Sequence, residues 1–267
     1  MVARTAILVL LSGGIAASQD RASQLSIARS QLVSGRLADC RRTLDAILIA
    51  EPRDTAALKL LSDAYYLSGE DAKAEASLLK AIDIEPRNAE LHYALGRIYY
   101  QESRPEPASR QFNKTVELDP ASYKAWDNLG LCYQALNRDP EAIRAFLKSL
   151  DLVHEKHRDY EWPYANLADL LIRKGDYEKA FELAAEAAER NPRSARNFYL
   201  TGKSLVKLHK LELGIRWLKR ATEVDPDYPE AHYLLARTFR ETGQLEEGKR
   251  ELRQFEEARA KTPQHRR

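Results

Sequence analysis

Two cysteines and one methionine are all the sulfur in this sequence of 267 residues. Cys40 and Cys132 form no Cys-x-x-Cys pair, which excludes a thiolate metal finger and a dithiol redox couple. Gly-rich phosphate loops and strand-turn-helix serine elbows are missing too, and with them the commonest nucleotide and acyl-transfer chemistries. Glycine and proline, at 11 residues each, are sparse, whereas Ala, Leu, Glu and Arg abound. That balance suits an all-α chain. Charge of one sign is lacking as well. Acids and bases are scattered and nearly equal, leaving a net charge of +2, so no polybasic block marks a nucleic-acid or membrane-surface partner.

Long apolar runs are also missing. The longest lies at the N-terminus, where Arg4 precedes Ala6-Ile7-Leu8-Val9-Leu10-Leu11, followed by Ser12-Gly13-Gly14 and the small residues Ala16-Ala17-Ser18. This falls far short of the ~20 residues of a membrane-spanning helix, but its order is that of a secretory signal peptide. Residues 1–18 are therefore expected to be removed near Ala17 or Ser18, placing the mature chain in the periplasm or outside the cell. The alternative is an N-terminal tail on a cytoplasmic protein.

What the sequence has in quantity is repetition. Pro52, Pro86 and Pro120 are 34 residues apart, and so are Pro192 and Pro226. Each follows an acidic or polar residue at the end of an amphipathic segment, where a proline cannot continue a helix. Read backwards from its proline, each unit holds two short helices with the same residue types at the same places. Trp126-x-x-Leu129-Gly130-x-x-Tyr133 followed by Ala142-x-x-x-Phe146 shows the rule. Leu58, Leu61, Ser62, Tyr65, Ala74, Leu78 and Ala81 repeat it one unit earlier, and His92, Leu95, Gly96, Tyr99, Ala108 and Phe112 fill the unit between. The apolar residues make a core-facing stripe. The small residues, Gly96, Gly130 and Gly202 opposite Ala74, Ala108, Ala142, Ala180 and Gly214, are expected to let two helix backbones approach closely.

This pattern resembles the tetratricopeptide repeat. The resemblance implies a right-handed superhelical solenoid of antiparallel helix pairs spanning 19–262, with units starting near 21, 55, 89, 123, 161, 195 and 229 and a tail at 263–267. Cys40 and Cys132 then fall almost three repeats apart, too far to bridge, and read as buried small hydrophobes. One irregularity interrupts the array. His154 stands where a proline belongs, and the next unit starts four residues late. Either the preceding helix runs on by one turn and Pro163 opens the next helix, or the insertion joins a four-repeat and a three-repeat block.

Chemistry is thin. His154-Glu155-Lys156-His157 spaces its histidines three apart where a zinc-protease helix needs four, so no metal site, catalytic residue or cofactor is expected. Asn113-Lys114-Thr115 matches a glycosylation sequon but lies within a predicted helix. In arrays of this family the first helix of each pair lines the concave groove. The resemblance therefore assigns a peptide-binding role to Tyr93, Arg97, Asn128, Asn166, Arg196, Lys203 and Arg237. Asn128 and Asn166 recur at one place in successive units, where an amide can pair with a peptide backbone. Arg196, Lys203 and Arg237 would hold an acidic stretch. The expected function is a non-catalytic scaffold for a protein or peptide, with no small-molecule substrate. A regulatory or ligand-binding subunit of an enzyme or secretion complex is the alternative.

Overall fold

The computed structural model describes residues 20–154 and 156–261, and among them helices account for all regular structure. The expected leader at 1–18 and tail at 263–267 lie outside the described residues. By internal contacts the chain divides into two compact units, Met1–Pro120 and Ala121–Arg267.

The first unit holds α1 (20–33), α2 (Leu37–Ala50), α3 (Thr55–Leu67), α4 (Asp71–Ile84), α5 (Ala89–Gln101) and α6 (Pro105–Leu118). The second holds α7 (Tyr123–Ala135), α8 (Asp139–Val153), α9 (Trp162–Lys174), α10 (Tyr177–Arg190), α11 (Ala195–Lys207), α12 (Leu211–Val224), α13 (Pro229–Glu241) and α14 (Leu245–Lys261). Within each unit, consecutive helices pack on one another. In the first, Ala28, Cys40, Leu44, Ile47, Leu60 and Leu61 form one buried cluster. In the second, Ala142, Phe146, Leu167 and Leu170 join neighbouring pairs, and Ile215, Leu218, Leu235 and Phe239 do the same further on.

Local chemistry sets the helix ends. Glu51, Glu85, Asp119, Asn191 and Asp225 each precede a proline, and each leaves the helical region with φ between −125° and −135° and ψ between 71° and 97°. The proline ring's clash with the preceding residue forces that exit. His154 has no proline after it and stays helical, at φ −51° and ψ −49°. At the helix starts, Asp54 accepts from the Ala57 N–H at 3.0 Å and Asn88 from that of Glu90 at 3.1 Å, pairing donors that lack a partner within the helix. Inside each pair the turn needs a left-handed residue. Gly35, Gly69, Gly175 and Gly243 provide it, and Ser103, Asn137 and His209 take the same conformation at φ 57° to 58°.

Two expectations need correction. Helix α8 does not run on by a turn: it has 15 residues where α6 and α10 have 14. Arg190 of α10 donates to the carbonyls of His154 at 3.1 Å and His157 at 3.5 Å, capping the chain as it leaves the helix, and Pro163 lies in the first turn of α9. The second correction concerns the small residues. Gly202 and Gly214 do sit against each other's backbone, a β-carbon on Gly202 falling 3.0 Å from the Gly214 carbonyl oxygen. At Gly96 and Gly130, however, the space is taken by the rings of Phe112 and Phe146. Cys40 and Cys132 are both free and buried, and burial pushes the Cys132 thiol up to about 12.

Candidate protein-interaction face

In the second unit, α7, α9, α11 and α13 carry the residues that the sequence places on the inner face. Their centre is Asp127 of α7, 3% exposed. Its carboxylate accepts from Tyr160 Oη at 3.0 Å on one oxygen and from Asn166 Nδ2 at 3.0 Å on the other. The Asn166 carbonyl oxygen in turn accepts from Arg196 Nη2 at 3.1 Å. Burial disfavours the charged carboxylate and pushes Asp127 up to about 6, against the pull of the two hydrogen bonds and the Arg196 charge. Asn166, at 4% exposed, thus has both ends of its amide engaged within the chain.

Tyr160 reaches Asp127 from the connection between α8 and α9. It packs edge-on against Tyr123 at 4.8 Å between ring centroids, and His157 lies 4.3 Å from the same ring. The irregular segment therefore closes over the start of α7 and completes the Asp127 site.

Further along, α11 and α13 border a cleft of about 640 Å³ whose lining includes Tyr199, Lys203, Lys207, Glu230, Tyr233 and Arg237. Tyr199 packs on Tyr228 at 5.5 Å, and Lys203 Nζ lies 5.4 Å from the Tyr199 ring centroid. Among the described residues, none of Lys203, Lys207 and Arg237 is engaged in an ion pair. Phe255 of α14 closes one side, 5.3 Å from the half-exposed Tyr233 ring. Cations beside exposed aromatic surface suit a carboxylate-bearing ligand with apolar neighbours.

The first unit differs. Lys59 lies between Glu90 at 2.9 Å and Asp63 at 3.6 Å. Arg97 stands near Asp63, whose carboxyl is raised by burial despite the Lys59 and Arg97 charges. Charge on this face is largely neutralised within the chain. Tyr93 packs on Phe112 at 5.8 Å.

Of the sequence-assigned residues, the structure joins Asn166 to Arg196, and Lys203 to Arg237 in one cleft. The Asn128 amide donates to the Lys124 carbonyl at 2.7 Å, along its own helix. Periodicity missed Tyr160, which lies in the inserted segment and has no counterpart in other units, and the centrality of Asp127. A carboxylate beside Trp126 on an otherwise apolar stripe was the available signal.

Family models described as tetratricopeptide repeat match residues 122–193, 89–122 and 217–250, and a TPR repeat model matches 63–103. The chain carries tetratricopeptide repeats. Solved TPR structures agree in fold. The chain superposes on PilF of Pseudomonas aeruginosa with a TM-score of 0.72 at 21% identity, covering 82% of this chain and 98% of that one. A tetratricopeptide repeat protein from Parabacteroides merdae gives 0.69 at 16% identity, with 92% and 95% covered. YrrB, described as a TPR protein with an unusual peptide-binding site, gives 0.58 at 18% identity, with 70% and 95% covered. No curated protein matches the chain. A TPR fold among TPR neighbours supports a protein-interaction scaffold. No helix among the described residues is long and apolar enough to cross a membrane, and those residues contain no cluster of metal-ligating side chains.

Proposed function

We propose that this TPR chain is a non-catalytic scaffold that binds an acidic protein segment in the cleft between α11 and α13. One observation carries the reading: Lys203, Lys207 and Arg237 line a cleft of about 640 Å³ beside Tyr199 and Tyr233 without an ion pair among the described residues. Three cations against the two carboxylates of Glu230 and Glu241 leave the lining net positive, and beside aromatic surface that favours a carboxylate flanked by apolar side chains. Arg196, oriented by Asn166, would extend the site toward Asp127, and Asn128 of the same unit would contact a longer segment. The Ala6–Leu11 run behind Arg4 supports export to the cell envelope or beyond. The test is fluorescence titration of the full chain with acidic, neutral and basic peptides. Preference for the basic peptide would sink the reading.

A second reading, a subunit that holds a small anionic ligand, rests on the cleft volume, which falls within the ~300–1,000 Å³ of ligand pockets. Peptide length separates the two. A scaffold gains affinity as the peptide grows beyond the cleft, and a ligand pocket does not.

A further inference from the structure

The outward side of the first unit breaks a rule that the rest of the chain keeps. Counted from the small residue at each helix crossing, Ile49 of α2 corresponds to Asp83, Glu117, Asp151, Glu189, Glu223 and Glu257, a carboxylate every time. Ala76 of α4 corresponds to Arg42, Arg110, Arg144, Arg216 and Arg250, with Glu182 the other counterpart. Two charged positions have become apolar, and both line one open cleft of about 770 Å³. Ile49 projects into solvent, 83% exposed. The floor is apolar too, made by Leu58, Leu61 and Tyr65 of α3. Isolated surface leucines and isoleucines need no explanation, but an apolar cleft gained by the loss of charge at two facing positions does.

We infer that this cleft is a two-fold interface with a second copy of the chain. The argument is self-complementarity. Helices α2 and α4 both pack on α3 through short connections and so run parallel within one chain. A two-fold axis reverses one set, placing α2 of one copy antiparallel to α4 of its partner. In that arrangement Ile49 can enter the recess over the partner's Ala76, and Asp45, four residues before Ile49, meets the partner's Lys80, four residues after Ala76. Both Asp45 and Lys80 line the cleft and both are exposed. Lys73, on the same wall, is already paired with Glu70 at 2.6 Å. The patch thus carries a knob and a hole, an acid and a base, at spacings that match when reversed.

The experiment is sedimentation equilibrium of the full chain from about 1 to about 200 µM, the range in which a modest dimer assembles. The wild type is expected to dimerise. I49E and A76R, which restore the residue types of the other units, should each weaken association on the order of 100-fold with unchanged helical circular dichroism. D45K and K80E should each weaken it alone, and the double variant should recover it, because both partners of the pair are exchanged. A monomeric wild type, or a dimer indifferent to I49E and A76R, overturns the interface. So does a complex formed with a different protein through Ile49 in place of the dimer. Failure of the double variant to recover overturns the two-fold arrangement.

Discussion

The ring of Phe146 occupies the space in which a side chain at Gly130 would stand: a β-carbon built there lies 2.5 Å from Phe146 Cε1. Both residues are buried, so the ring has nowhere to swing. Alanine at this position would gain about 1 kcal/mol of helix propensity, which the clash outweighs. Gly130→Leu is expected to cost on the order of 1–3 kcal/mol, as overpacked cores do, whereas Glu247→Gln on the exposed face should change nothing measurable. Equal melting temperatures for the two variants would refute the packing.

The turns within helix pairs allow a stabilising change. Ser103 holds φ at 57° where other turns use glycine, a conformation that costs a side-chain-bearing residue about 1 kcal/mol. Ser103→Gly should therefore raise stability by roughly 0.5 kcal/mol after the unfolded-state entropy of glycine is deducted. Gly69→Ala, with no contact within 4 Å but φ at 72°, should lower it by about 1 kcal/mol. Urea titrations check both signs.

Asp127 sets a pH dependence of defined sign. Its folded carboxyl titrates at about 6 against 3.8 unfolded, so the native state binds the proton more tightly. Its contribution is greatest below the unfolded value and is lost as pH rises through 6. Asp127→Asn removes this titration. The stability of the wild type relative to Asp127→Asn should fall between pH 4 and 7, by at most about 3 kcal/mol for a two-unit shift. Comparing the two proteins cancels the opposite trend of Asp54. Burial raises that carboxyl, but the hydrogen bonds from Arg21 and Ala57 outweigh it and hold it below its ordinary value. A constant difference from pH 4 to 7 would show that Asp127 is not the titrating group.

At the proposed cleft, Lys203→Ala and Arg237→Ala should each weaken an acidic peptide by about 0.5–1.5 kcal/mol at low salt, and by less at physiological ionic strength, where screening shortens the reach of exposed charges. Arg144→Ala and Lys219→Ala lie outside the cleft and serve as controls. Salt-independent losses would point away from charge recognition.

Export is checked directly. Protein purified from its own cells should begin near Gln19, as read by intact mass, if the leader is cleaved after Ala17 or Ser18. An N-terminus at Met1 would return the chain to the cytoplasm.

The all-helical fold was legible because prolines 34 residues apart end helices by a purely local clash, and because apolar residues at helical spacing can only be buried by a neighbouring helix. Less of the candidate face was. The inner-face register brought Lys203 and Arg237 onto helices that border one cleft. It could not reveal that Asn166 would be occupied by Asp127 and Arg196, because hydrogen bonds between residues 39 and 30 positions apart leave no periodic trace.

Taken alone, the sequence determined that helices end before each of the repeated prolines and which face of each helix is apolar, since steric and propensity effects act within a few residues. Tertiary structure decided the rest. Whether Gly130 makes room for a backbone or for the Phe146 ring, whether Tyr160 is surplus or a ligand of Asp127, and whether a lysine is paired or free depend on which side chains meet across helices, and that geometry exists only once the pairs have packed.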